Sequence, residues 1–485
     1  MTAALRFGGS EISPAQFDEA ARRAAGGFEK LGIGDGDVVC VMLHNSPEYL
    51  IAMFGARLLG AYGCPINWHY KADEAVWILR DSGAKALVTS PQLRQQIESP
   101  AIPTIDNWEE WLGKQTPWNG AARRPRMAMP YTSGTTGRAK GVRRLAPPPE
   151  EIATMDALNR EGMARVHGIE PGMRSLLSAP LYHSAPSGYS VQAMLHGDLL
   201  VLEPKFDAER TLALIHDLKL THAYLVPTMY VRLLRLDEKT RKRYDVSSMR
   251  FVSSTGSPCP AEIKRAMIEW WGPVFNEAYA ASELGYITSI TSPEALRKPG
   301  SAGRPLGQAQ IRILDADGHE LPQGEVGLIY ARQPAFPDFT YNNNDAARRN
   351  IDRGGLWSLG DIGYLDADGY LYVCDRASDM VISGGVNIYP AEIEAVLALM
   401  PGVRDCALFG IPDEEFGEAL CAAVQPDPGA TLTAADVQDF LRSRISGYKV
   451  PRQVDFHPEL PREDSGKIFK RRLRAPYWEQ SGRKI

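Results

Sequence analysis

Long apolar runs are missing from this 485-residue chain. No stretch approaches the roughly 20 consecutive apolar residues that a helix needs to cross a bilayer, so no membrane span is expected. The N-terminal MTAALRFGGSEIS lacks the apolar block of a secretory signal, and the expected location is the cytoplasm. Cysteine is sparse and scattered, at Cys40, Cys64, Cys259, Cys374, Cys406 and Cys421, with no CxxC and no metal-type spacing. In a chain this long that pattern means reduced thiols, not a disulfide framework. An excess of positive charge is absent too: 54 Lys and Arg against 59 Asp and Glu leave a net charge of −5, which argues against a dedicated nucleic-acid binder. No internal repeat, Rossmann-type GxGxxG, Ser/His/Asp order or metal-ligand cluster stands out.

What is present is an ordinary globular composition, 44% hydrophobic and 23% charged, on a length that implies two or more domains. Ser13-Pro14-Ala15-Gln16 reads as a capping box with Pro at the first helical position, opening a helix that stops at Gly32. Buried strands are expected at 38–43, 86–89, 221–226 and 250–254, with helical segments between them, as at 47–59. That alternation means a mostly parallel sheet covered by helices. After about Gly307 the texture changes to apolar/polar alternation around Asp-Gly turns, the pattern of antiparallel hairpins. Beyond Ser383 a small α+β unit follows, with helices at 391–399 and 434–445 and strands at 406–410 and 421–425.

Four stretches could carry chemistry. YTSGTTGRAKGV, residues 131–142, combines glycines, hydroxyls and Lys140 in a loop suited to holding phosphate. It is not a P-loop NTPase sequence, because Ala139 stands where the second Gly belongs and Gly141 where the Mg-binding hydroxyl is required. The bland reading is a Gly/Thr surface loop. EAYAASELG (277–285) offers Tyr279 for stacking on a base, and Ser282 and Glu283 for phosphate and Mg²⁺; a helix cap or a solvated edge explains the pair equally well. In WSLGDIGYLDADGYLYVCDR (357–376), Asp361 and Arg376 suit the hydroxyls of a ribose, whereas Asp366 and Asp368-Gly369 are ordinary turn residues. Lys467, in PREDSGKIFKRR, sits on a flexible tip or in a solvated charge run. His183 reads as a core histidine, a gate or a base.

In this order and spacing the pieces resemble the adenylate-forming superfamily of acyl-CoA synthetases, peptide-synthetase adenylation domains and luciferases. The phosphate loop corresponds to Thr132–Gly141, and the tyrosine–glutamate motif to Tyr279–Glu283. The glycine–aspartate pair is Gly360-Asp361, the aspartate–arginine pair Asp375-Arg376, the glycine-rich turn with its following helix Ser383–Glu394, and the late lysine Lys467. The resemblance implies an α/β fold: a large N-terminal domain, 1–377, of parallel-rich sheets covered by helices plus a β-subdomain, and a small mobile α+β C-terminal domain, 378–485. It also implies ATP, Mg²⁺ and coenzyme A. Lys467, Lys140 and Glu283 would be catalytic, with Mg²⁺ held through Glu283. Thr132, Ser133, Gly134, Thr135, Thr136 and Gly137 would hold phosphate. Thr255, Gly256, Ser257 and Tyr279 would flank adenine, Ser282 would touch phosphate, and Asp361 and Arg376 would hold the ribose. The acyl pocket would be lined by Tyr182, His183, Ser184, Tyr230, Ala280, Ala281 and Gly285; Gly384 and Gly385 would face the coenzyme A arm, and Ser378 would be the hinge. Ala139, Ala280, Ser282, Leu359 and Asn387 depart from the family's usual residues without removing a catalytic group.

Small residues near the gate (Ser184, Ala185, Ser187, Gly188) and the absence of Lys or Arg there imply a sizeable hydrophobic monocarboxylic acid, fatty, steroid- or terpenoid-like, or aryl, and WSLGD and MVISGGVNIYPAEIE most resemble the fatty-acyl and bile-acid-type ligases. Two alternatives remain open: a carrier-protein phosphopantetheine as acceptor, and a non-catalytic binding protein that kept the fold.

Overall fold

Ser13 opens the first helix, Pro14–Lys30, through the expected reciprocal cap. Its Oγ accepts the Gln16 N–H at 3.3 Å while Gln16 Oε1 accepts the Ser13 N–H at 2.9 Å. The helix buries Phe17, Ala21, Ala24 and Phe28 against helix Pro47–Leu58. The two backbones approach closely at Gly55, where an added Cβ would lie 2.8 Å from that of Ala24. Phe17 and Phe54 meet edge to face at 5.4 Å, and truncating either fully buried ring costs about 3–5 kcal/mol.

This computed structural model describes residues 1–97, 101–121, 123–132, 138–461 and 468–480. The chain divides into two compact units, Met1–Gln310 with Ala331–Trp357, and Ile311–Tyr330 with Ser358–Ile485. It is an α/β protein, as its strand–helix alternation requires. No helix among the described residues is long and apolar enough to cross a membrane.

The first unit holds a four-stranded parallel sheet in the order Tyr62–Pro65, Val38–Met42, Ala86–Thr89, Thr104–Ile105. Every residue of Val38–Met42 is buried, because alternate side chains serve two cores: Val39 and Val41 face one, Val38, Cys40 and Met42 the other. A nine-stranded sheet has parallel strands at its middle, Leu199–Leu202, Arg174–Leu177, His222–Tyr224, Phe251–Ser254 and Phe275–Ala281, and antiparallel edges. A small antiparallel sheet joins Tyr131–Thr132, Lys140–Arg144 and Phe339–Tyr341. The helices Ile152–His167, Ser184–His196, Ala261–Trp271 and Lys470–Gln480 are among those the sequence reading did not name. Ile152–His167 follows the Pro147–Pro149 run, which is compatible with a helix because Pro149 sits in a leading 3-10 turn, where a missing N–H is tolerated.

In the second unit, Asp361–Leu365 pairs antiparallel with Leu371–Arg376, and Asp366 accepts the N–H groups of Asp368 and Tyr370 in the turn between them. Helices Pro390–Leu397 and Ala434–Arg442 pack on a sheet led by the hairpin Val403–Asp413 and Gly417–Pro426. Both hairpin strands run beyond 406–410 and 421–425. Their polar ends continue the ladder as far as Asp413, whose carboxylate caps the Glu415 and Phe416 amides. Residues 358–377 belong to this same unit.

Candidate active site

The strand Lys140–Arg144 positions two cations by simple alternation. Lys140, Val142 and Arg144 share one side of it, while Gly141 and Arg143 share the other. On one flank, Tyr341 of the neighbouring strand points its phenol at Glu283 and donates to Oε1 at 3.1 Å. On the other flank, Thr132 donates its hydroxyl to the same oxygen at 3.0 Å. Glu283 is 5% exposed, so its charge is held by fixed donors in place of water. Lys140 Nζ lies 5.2 Å from the centre of the Tyr341 ring. Burial raises the Tyr341 phenol above its ordinary range, and the nearby Glu283 charge adds to the effect, so it stays a donor.

Arg144 closes this nest from below. Its guanidinium donates to the carbonyls of Ser282 at 2.7 Å and Pro337 at 2.8 Å, between the rings of Phe336 and Phe339. Burial lowers its pKa to about 10, with Glu283 and Asp338 pulling the other way; it remains a cation at neutral pH. Ser282 reaches Ser184, hydroxyl to hydroxyl, at 2.9 Å.

The flanks of the phosphate loop are tied down. Trp77 donates its indole N–H to the Ala139 carbonyl at 3.3 Å, and Arg138 lies over the Trp77 ring at 4.5 Å. Tyr131 donates to Asp81 at 2.6 Å, and its ring fills the space that a side chain at Gly141 would occupy. Ser133, Gly134, Thr135, Thr136 and Gly137 of the loop lie outside the described residues, as does Lys467.

The adenine segment runs off the end of Phe251–Ser254: Thr255 is buried, Gly256 adopts φ +98°, and Ser257 is exposed. Tyr279 stands half-buried on the strand Phe275–Ala281 where its pairing shifts register. Tyr182 is buried, and its ring lies 4.4 Å from that of His183, the residue that precedes helix Ser184–His196. Gly285 has φ +76°, and a Cβ there would strike the Phe336 ring at 2.5 Å, so glycine is required on both counts.

Ala280 packs with Ala278, Met163, Tyr286 and Phe336, whereas Tyr230 packs edge to face on Phe275 at 5.3 Å. Phe275 and Ala280 lie on opposite sides of their strand. On the Ala280 side stands a residue the sequence reading passed over, His167. Its ring nitrogens pair with Ser253 Oγ and Tyr286 OH, each at 2.9 Å. Full burial drives its pKa down to about 3, so the imidazole is neutral.

In the second unit Asp361 and Arg376 are register partners on adjacent strands, and Arg376 Nε lies 3.3 Å from Asp361 Oδ1. Gly384 and Gly385, both at positive φ, form the exposed turn between Val381–Ser383 and Val386–Ile388. The carbonyl of Ser378 accepts from Arg474 at 2.9 Å.

Two family models match the chain: "AMP-binding enzyme" over residues 2–336 and "AMP-binding enzyme C-terminal domain" over residues 392–467. A feruloyl-CoA synthase of Amycolatopsis sp is 31% identical over 484 residues, 98% of this chain and 96% of that protein. A fatty acid–[acyl-carrier-protein] ligase, ScoC of Streptomyces coeruleorubidus, is 31% identical over 501 residues, 100% of this chain and 95% of that protein. Among solved structures, the anthranilate CoA ligase AuaEII in complex with anthranoyl-AMP superposes with a TM-score of 0.88 at 26% identity, over 99% of this chain and 95% of that one. Fold, site and relatives together define an AMP-forming acid–CoA ligase. The chain belongs to the AMP-binding enzyme family.

Proposed function

We propose that this enzyme activates a hydrophobic monocarboxylic acid, aryl acids before others, as its acyl-AMP and passes the acyl group to coenzyme A. The observation that carries the reading is the buried Glu283, held by Thr132 and Tyr341 beside the cations Lys140 and Arg144. Bringing a carboxylate to a triphosphate sets anion against anion, and preorganised positive charge and donors offset that repulsion. In the first half-reaction the acid's oxygen bonds the α-phosphorus, and the bond to the bridging oxygen breaks, releasing pyrophosphate. In the second, the coenzyme A sulfur bonds the acyl carbon, AMP leaves with the electron pair, and the thiol proton goes to solvent.

By family resemblance, Lys140 with the 132–137 loop holds the β- and γ-phosphates, Thr255, Gly256, Ser257 and Tyr279 take the adenine, and Asp361 and Arg376 take the ribose. Lys467 bridges the acid and the α-phosphate, and the 378–485 domain turns about Ser378 to bring Gly384-Gly385 to the thiol step. Glu283 and Thr132 offer oxygen donors alone, which suits a hard cation such as Mg²⁺. When bound, the ion would neutralise phosphate charge. The aryl preference rests on the rings packed with Ala280, those of Tyr286 and Phe336, and on His167 set edge to face on Tyr286, which offer faces and edges to a flat acid. The feruloyl and anthranilate relatives act on acids of that kind.

The test is AMP release with coenzyme A across aryl, fatty, steroid and terpenoid acids. Aryl acids should turn over fastest; a preference for long-chain acids would overturn the substrate class, and silence in pyrophosphate exchange with every acid would favour a binding protein. Likeness to the carrier-protein ligase supports a second reading, in which a phosphopantetheinylated carrier is the acceptor. Faster loading of such a carrier than of free coenzyme A would establish it.

A further inference from the structure

Contacts that cross residue 378 are ones a turning C-terminal domain has to break, and the second unit contains several. Asp375 lies just before that point. Its Oδ2 accepts the Ala391 N–H at 2.9 Å, in the first turn of helix Pro390–Leu397, and its Oδ1 accepts the Arg376 N–H at 2.8 Å. Lys470 opens the helix Lys470–Gln480; its ammonium lies 2.8 Å from Glu394 on the Pro390–Leu397 helix and acts on the Asp375 charge as well. Burial alone would lower the Lys470 pKa, yet Glu394 and Asp375 outweigh it and hold the ammonium above its usual value. Burial raises the Asp375 carboxyl, with Lys470 working against the rise. One turn further along the same helix, Arg474 donates to the Ser378 carbonyl at 2.9 Å and lies 3.9 Å from Asp379. The Lys470 and Arg474 side chains are only 16% and 15% exposed, so neither is a loose surface cation.

The arrangement is economical for a device of this kind. One helix reaches the last residues before the turning point, the point itself and the helix beyond it. The Lys470–Glu394 pair alone would serve merely to assemble the domain, since both residues follow residue 378. The Asp375 and Ser378 contacts, which lie before or at that residue, tie together the chain on its two sides as well.

We propose that Asp375, Lys470 and Arg474 form a latch across the hinge. They are positioning residues that hold the C-terminal domain in one pose and so set how the enzyme divides its time between the two half-reactions. The proposal rests on the two-pose reading above. With the latch broken, the domain leaves this pose more often, and the half-reaction that uses it slows relative to the other.

The test compares Lys470→Met, Arg474→Met and the conservative Lys470→Arg with the wild type. Two rates are read: pyrophosphate–ATP exchange with the best acid of the screen, and AMP release from supplied acyl-AMP with coenzyme A. Amide hydrogen exchange is read over 377–391 and over the hairpin 403–426. The latch predicts that each Met variant shifts the ratio of the two rates by at least threefold and speeds exchange at 377–391 while the hairpin stays protected. Lys470→Arg should restore both. A ratio that moves less than threefold, or exchange that rises equally in the hairpin, overturns the proposal. If the wild type catalyses neither half-reaction, the ligase reading fails, while hydrogen exchange still decides whether the contacts hold the hinge.

Discussion

Glu283 in the first unit is 5% exposed and receives two hydroxyl hydrogen bonds on one oxygen, with Arg144 beneath it bonded to two backbone carbonyls. Arg376 in the second unit is 40% exposed, with its Nε 3.3 Å from an Asp361 carboxylate oxygen. Both are charged groups in candidate nucleotide sites, yet they are held in opposite ways. A buried charge fixed from several sides is already oriented when its ligand arrives, and it is costly to disturb. A pair with one member standing partly in solvent, as Arg376 does beside the buried Asp361, adds little to stability, and that member can exchange its partner for a ligand hydroxyl at small cost. The first arrangement suits a site where charge develops during reaction; the second suits one that must let go of its nucleotide.

Breaking the rigid side of this comparison should have the largest effect. Glu283→Gln keeps an acceptor for Thr132 and Tyr341 but removes the charge, and pyrophosphate exchange is expected to fall by roughly 100-fold or more. A loss smaller than tenfold would take Glu283 out of the reaction. Arg144→Met should come next, since it leaves the Ser282 and Pro337 carbonyls and the Glu283 charge without their cation. A stability loss of about 3 kcal/mol is expected in denaturant unfolding, and an unchanged midpoint would mean that water or a shifted neighbour replaces it.

His167 sharpens the contrast through pH. Its folded pKa, about 3, lies below the ordinary 6.5, so the unfolded chain takes up the proton first. Its contribution to stability is therefore complete above about pH 6.5 and is lost as the pH falls toward 3, at up to about 1.4 kcal/mol per pH unit. His167→Asn should flatten the fall of the unfolding midpoint across that acid range; an unchanged slope would assign the acid sensitivity to other groups. The smallest effect belongs to the exposed side. Arg376→Ala should change stability by less than about 1 kcal/mol while the KM for ATP rises, and a large drop in the unfolding midpoint would contradict the half-exposed reading.

Much of the fold was legible wherever the signal is local. The Ser13 cap, the strands at 38–42 and 86–89 and the Asp366 turn all follow from a few adjacent residues, because capping, alternation and turn geometry act over one to five positions. Glu283 and Asp361 stand out in the sequence for another reason: each sits in a short motif whose spacing resembles a known family. Arg144, Tyr341 and His167 do not. Their partners lie 138, 58 and 86 positions away, at Ser282, Glu283 and Ser253, and nothing beside them in the chain announces the pairing.

The sequence by itself determined the element types, the alternation that makes an α/β protein, and the chemical class of groups available to meet ATP. Tertiary structure alone decided which carboxylate is buried, which arginine supports it, which histidine is kept neutral, and that residues 358–377 gather with the C-terminal segment. Secondary structure answers to short-range backbone and side-chain preferences, whereas burial and electrostatic partnership depend on which distant segments the hydrophobic cores bring together.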